Sequence, residues 1–311
     1  MTEHYVTLFD STFLPQGLSL HASMIRNAGN FDLTIIAMDD AVQCVLVDMK
    51  LPHVRVVPLH EAETDALRKV KPSRSIAEYC WTITPFAADV VFSRTSAERV
   101  TYLDADLWFR GSPEPVFAEM ELSGAVALIT DHAYAPEYEQ SDIYGRFCVQ
   151  FMPFDRFGSA DIRQMWQNQC IDWCYAEPSE GRFGDQKYLD EWPARYGADV
   201  HVLRDLSLLQ APWNAVRFPA GDAAVFHFHR LRIVSDDRVY PGLYRLPREH
   251  LESIYRPYLR DLRGACDAMN RYGMTTPAQF DMPTGAQAVK DWIAFRGHNW
   301  RSPFTPYTLT F

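Results

Sequence analysis

Apolar runs of strand length alternate with stretches of helical period through the first hundred residues, and this alternation constrains the chain more than any other feature. Tyr5-Val6-Thr7-Leu8-Phe9 reads as a strand ending at Asp10. Pro15 suits a first helical position, and Leu14, Leu18, Ala22 and Ile25 mark one helical face until Gly29-Asn30 ends it. Residues 33–38 form a second strand, after which Asp39 or Asp40 caps a helix carrying Val42, Val45, Leu46 and Met49. Residues 54–59 are a third strand, residues 76–92 are helical with Thr84-Pro85 opening the second part, and residues 100–103 are a fourth strand. This spacing predicts βαβ units in a largely parallel sheet covered on both faces, with ligands bound beyond the carboxyl ends of the strands.

The second half is less regular. Ser112-Pro113 opens a short helix, residues 125–130 and 147–151 read as strands, and Ser159 caps a helix carrying Ile162, Met165, Trp166, Cys170 and Trp173. A glycine-rich turn at 181–184 leads to another helix, residues 200–203 and 223–228 are strands, and a helix runs from Pro247 to about Asn270. The tail to Phe311 offers little pattern. With no repeat and no low-complexity linker, the simplest division is one main domain, 1–245, and a helical appendage, 246–311.

A chain of 311 residues with 47% hydrophobic and 14% aromatic content is not disordered and can fill a large core. A net charge of −10 argues against a nucleic-acid partner, which would select a basic face. No apolar run reaches membrane-spanning length, and with the first strand beginning within five residues of the start, no signal peptide is expected. The six cysteines sit in apolar or helical contexts without C-x-x-C pairs, as expected of free thiols in a reducing, cytoplasmic compartment.

Three constellations carry chemistry. The fourth strand runs into Asp104-Ala105-Asp106 and then Leu107-Trp108-Phe109. The tripeptide D-x-D is weak by itself, since 25 Asp residues would produce about two by chance. Its position says more: carboxylates at i and i+2 in an extended segment point the same way and can reach one divalent cation, and hard oxygen ligands suit Mg²⁺ or Mn²⁺. A solvated strand end is the alternative, and Trp108 and Phe109 read as core. His227 and His229 likewise share a face, and an imidazole beside two carboxylates tilts the preference toward Mn²⁺. Histidines in a strand are otherwise packing residues, and H-x-H also opens metallohydrolase sites. Gly184-Asp185-Gln186 holds a carboxylate and an amide at a helix start, where an ordinary Asp cap is the alternative.

In their order and spacing, the first strand, EYCWTITPF (residues 78–86), YLDADL, GDQKYLD and HFHRLR resemble the bacterial nucleotide-sugar glycosyltransferases of the GT-A fold. The resemblance is to the retaining group related to glycosyltransferase family 8, and it runs to about Arg232. It implies an α/β, GT-A (Rossmann-like) nucleotide-diphospho-sugar transferase fold over 1–245, with a mixed central sheet, helices on both faces and a helical C-terminal appendage. It implies Mn²⁺ or Mg²⁺ held by Asp104, Asp106 and His227 and bridging the diphosphate of a donor, UDP by family habit. Donor binding is implied for Thr7, Leu8, Phe9 and Asp10 at the base-binding edge, and for Arg74, Ala105 and Arg230. Asp185 and Gln186 match the family's catalytic donor-sugar pair. Retention follows from the resemblance, through either an Asp185 nucleophile or a same-face internal return.

Two departures stand out. The family's Asn-x-Gly after the D-x-D corresponds here to Cys148 and Gln150, which bears on donor-sugar and acceptor specificity. The family's glycine after the metal histidine corresponds to Arg230, with no Lys-Pro-Trp following, so Arg230 or Arg232 is expected to take the lysine's place against the phosphates. The expected function is metal-dependent sugar transfer from a nucleotide donor to a glycan or other acceptor. The alternatives are a metal-dependent phosphoesterase using the same residues and a degenerate glycosyltransferase fold that only binds, which Cys148 and Gln150 favour. No nucleic acid and no transmembrane segment is expected; peripheral association with a membrane is compatible with the sequence.

Overall fold

The four apolar runs form the parallel half of the central sheet. The computed structural model describes residues 2–281, 284–298, 300 and 306–310. In it β1 (Glu3–Phe9), β2 (Phe31–Ala37), β3 (Val54–Pro58) and β4 (Arg99–Leu103) lie in the order β3-β2-β1-β4, all parallel. Residues 5–9 and 33–37 are buried on both faces, which is why these strands are continuously apolar and not alternating.

The remaining strands are β5 (Leu107–Phe109), β6 (Ala127–Asp131), β7 (Phe147–Cys148), β8 (Phe151–Asp155), β9 (Val200–Val202), β10 (Leu209–Gln210), β11 (Val225–His227), β12 (Arg232–Ser235), β13 (Arg238–Tyr240) and β14 (Leu309–Thr310). The sheet continues past β4 as β8-β6-β7, antiparallel, with β9 parallel to β6, so it is mixed. The single strand expected at 147–151 is two strands, broken at Val149-Gln150. β8 runs on to Asp155 across Pro153, a residue that weakens any reading of a central strand from sequence.

The helix Leu14–Asn27 is buried on several sides because it lies between the sheet and the helix Arg256–Arg271. Its core residues are Leu14, Leu18, Leu20 and Met24, whereas Ile25, expected on the buried face, is exposed. Asp39 and not Asp40 caps the next helix: its carboxylate accepts the Val42 N–H at 2.7 Å and the Ser11 N–H at 2.8 Å. Ser159 does not cap Ala160–Asp172; its hydroxyl instead donates to the Asp155 carbonyl.

Trp108 and Phe109 are core, and the Trp108 indole N–H donates to Asp261 of the Arg256–Arg271 helix at 2.7 Å. That helix follows a π-helical turn, Leu251–Tyr255, and buries Tyr258, Leu259, Leu262 and Met269. The tail, patternless in sequence, supplies a helix, Gly285–His298, and β14, which pairs with β13. All six cysteines are free. No helix among the described residues is long and apolar enough to cross a membrane.

Candidate metal centre and active site

The strand order puts the ends of β1 and β4 side by side, with Asp10 after one and Asp104 after the other. Asp104 to Asp106 are not in extended strand, as the sequence suggested. Leu107 N–H donates to the Asp104 carbonyl at 3.2 Å, a tight turn that sends the chain back as β5. The turn exists because β5 pairs antiparallel with β11, setting His227 opposite Leu107. Phe228 N–H then donates to the Asp106 carbonyl at 2.9 Å and closes the loop. Tertiary pairing, not strand alternation, brings the carboxylates and the imidazole together.

His227 Nε2 lies 3.0 Å from Asp106 Oδ1 and 3.7 Å from Asp104 Oδ2. One ligand atom from each of Asp104, Asp106 and His227 falls within 4.8 Å of the others. On the far side of the ring, Nδ1 is 3.0 Å from Gln150 Oε1, and the Tyr102 hydroxyl donates to Asp104 Oδ1 at 2.9 Å. Burial pushes the Asp104 carboxyl up to about 7, with attraction from His227 opposing and repulsion from Asp106 adding. Burial also pushes Asp106 up, but the charge and hydrogen bond of His227 outweigh it and hold Asp106 below the usual range. Burial alone would lower His227, and the two carboxylates raise it instead. Nε2 and the two carboxylates thus face one point, where a cation would sit. Two hard carboxylates and one imidazole fit a small divalent ion such as Mn²⁺ or Mg²⁺.

His229 lies beyond β11 and does not join the cluster; its Nδ1 is 3.2 Å from the Tyr244 hydroxyl. Trp213 stands edge-on to both rings, at centroid distances of 5.3 Å from His227 and 5.1 Å from His229.

The centre opens into a cavity of about 670 Å³. Leu8, Phe9, Asp10, Ala105, Cys148, Asp185, Gln186, Arg230 and Arg232 line it together with the ligands. Arg230 has φ 60°, a left-handed conformation at the position where the family resemblance puts glycine, and Arg232 stacks its guanidinium 5.0 Å from the Phe13 ring centre. Thr7 and Arg74 are not in the lining. Thr7 is fully buried inside β1, and Arg74 covers the Tyr175 ring at 3.9 Å and donates to the Ile171 carbonyl at 3.3 Å.

Asp185 is not a helix cap: the turn Lys187–Glu191 starts without a side-chain cap. Its main-chain carbonyl accepts the Trp166 indole N–H at 2.8 Å, which fixes the loop from below. Gly184 before it has φ 50°, a left-handed conformation that favours glycine, while a Cβ there would make only ordinary contact with the Trp81 ring at 3.4 Å. Burial, and then Asp104, push the Asp185 carboxyl well above the usual range. Gln186 donates its amide to the Tyr144 carbonyl at 2.7 Å.

Two solved structures share this architecture. The galactosyltransferase LgtC, solved with donor and acceptor sugar analogs, superposes with a TM-score of 0.52 at 13% identity, covering 84% of this chain and 95% of that one. The bifunctional WbbM glycosyltransferase superposes with a TM-score of 0.54 at 14% identity, covering 89% of this chain and 52% of that one. The chain has the GT-A glycosyltransferase fold. By sequence it is 29% identical over 280 residues to the uncharacterized protein YfnD of Bacillus subtilis (strain 168), covering 84% of this chain and 89% of that protein. It is 34% identical over 199 residues to the uncharacterized protein YfnF of the same strain, covering 61% of this chain and 65% of that protein. No family model matches the chain.

Three residues around this cluster were not found from sequence. Tyr102 was findable, because it lies two residues before Asp104 on a strand and so approaches the same side. Gln150 appeared only as a departure from a pattern. Trp213 sits in irregular chain and left no signal.

Proposed function

We propose that this protein is a metal-dependent glycosyltransferase of the retaining type, related to glycosyltransferase family 8, acting on a nucleotide-diphosphate sugar. The carrying observation is the convergence of Asp104, Asp106 and His227 on one point, at the strand ends and facing the cavity that Asp185 also lines. Asp185, buried and lining the same cavity, supplies a further carboxylate that a reacting sugar would use.

In this reading Leu8, Phe9 and Asp10 take the base, UDP by preference. Arg230 and Arg232 meet phosphate oxygens. Asp104, Asp106 and His227 would hold Mn²⁺ or Mg²⁺, which when bound would supply Lewis acidity toward a diphosphate leaving group. Asp185 stabilises the positive charge that grows on the anomeric carbon, and Gln186 orients the sugar. The wall of Trp81, Tyr144 and Phe183 offers ring faces to a glycan or other acceptor. The protein works in the cytoplasm, where its free cysteines stay reduced.

The test is a thermal-shift panel of nucleotides and nucleotide sugars with and without Mn²⁺. Stabilisation that requires metal and nucleotide together supports the reading, through binding to the folded state alone. A panel in which no nucleotide shifts the melt with metal present sinks it.

A further inference from the structure

We propose that Gln150 is a positioning residue that fixes which nitrogen of His227 is free to bind metal. The inference rests on the metal-centre reading above and extends it to a residue outside the ligand set. Gln150 is 2% exposed and sits in the break between β7 and β8. Its side-chain Oε1 is 3.0 Å from His227 Nδ1, and its main-chain carbonyl accepts the Asp104 N–H at 3.0 Å. One residue therefore grips two of the three ligands, the histidine by its side chain and the aspartate by its backbone.

The chemistry follows from the amide oxygen. An acceptor at Nδ1 keeps the imidazole proton there and leaves the Nε2 lone pair for the side where Asp104 and Asp106 converge. With the amide reversed, its NH₂ would donate to Nδ1 and push the ring proton onto Nε2, between His227 and a metal. Trp213 stands nearly perpendicular to the ring and offers no acceptor; Asp106 Oδ1, 3.0 Å from Nε2, competes for the ring proton, and the Gln150 acceptor at Nδ1 is what opposes it.

The experiment compares Gln150→Met and Gln150→Glu with the parent in Mn²⁺ titrations, reading free Mn²⁺ by electron paramagnetic resonance, with and without UDP. Gln150→Met keeps the length and removes the acceptor, and its Mn²⁺ affinity is expected to fall by about 10- to 100-fold, the usual effect of losing a ligand's outer partner. Gln150→Glu keeps an acceptor and near-parental affinity; Met and Glu both match Gln in length, so a role in packing alone would leave the two variants alike. Should Gln150→Met not fold, Gln150→Asn, whose amide is too short to reach Nδ1, is read in the same way. Parental affinity in Gln150→Met, or a loss in Gln150→Glu as deep as in Gln150→Met, overturns the positioning role while leaving the metal centre standing. A parent that binds no Mn²⁺ at all overturns the metal centre, and the role of Gln150 with it.

Discussion

Asp185→Asn separates charge from shape at the candidate site and moves two observables in opposite directions. The side chain is 5% exposed, and among the described residues its carboxylate accepts no hydrogen bond from another residue. Burial and then Asp104 raise its titration, so the folded chain holds this proton more tightly than the unfolded chain. The associated stability is fully present below the unfolded carboxyl range and is lost as pH rises through the folded value. Asparagine has no such slope. Burying an ionised carboxyl that a neutral amide can replace costs roughly 1–3 kcal/mol or more, and for a chain of 311 residues, at ~2.1 cal/mol/K of unfolding entropy per residue, each kcal/mol moves Tm by about 1.5 °C. Asp185→Asn should therefore melt several degrees above the parent in mildly alkaline buffer, and the gap should close as pH falls into the carboxyl range. Turnover should drop by about two orders of magnitude, roughly 2.7 kcal/mol of transition-state stabilisation, with metal and nucleotide affinity nearly unchanged. Scanning fluorimetry over a pH series and nucleotide release from the donor measure the two effects. A variant that melts at or below the parent in alkaline buffer refutes the burial reasoning, and parental turnover removes Asp185 from the chemistry.

Asp104→Asn and Asp106→Asn should each abolish Mn²⁺-dependent UDP binding and leave the melting transition cooperative, because both residues lie in a turn outside the core; calorimetric titration reads this directly. His227→Ala should lose Mn²⁺ binding and His229→Ala should keep it, since only the His227 ring reaches the carboxylates; an effect confined to His229→Ala would reverse the assignment. Gly17→Ala should destabilise by about 1–3 kcal/mol in urea unfolding. A Cβ at that position falls 2.4 Å from the Phe9 ring, and the helix cannot move away while the Arg256–Arg271 helix backs it; a neutral result would mean that the contact gives way freely.

The sheet's first half was legible because its causes are local. Residues 5–9 and 33–37 are covered on both faces, so nothing interrupts their apolar runs, and Asp39 caps the adjoining helix through an N–H three residues on. The second half hid itself for the opposite reason. Pro153 breaks the written pattern of β8 but not its place between β4 and β6. The helix Gly285–His298 buries Phe295 while leaving Val289, Trp292 and Ile293 exposed, so no apolar stripe marks it.

At the site, residue chemistry was legible and geometry was not. Two aspartates and a histidine of the right kinds were visible as candidate ligands, and they do converge, but through a turn at Asp104 to Asp106 and not through strand alternation; His229 shares the cavity with His227 and, as expected, stays out of the cluster. The partner choices depend on β5 meeting β11 and on β4 meeting β8, pairings over a hundred and about fifty residues apart that no short window of sequence encodes. Gln150 is the sharpest instance. Read against a family pattern it favoured a degenerate site, because a glutamine stood where glycine was expected. In the folded chain that same amide reaches the histidine, so the departure from the pattern argues for a centre held in a different way and not for one that has been lost.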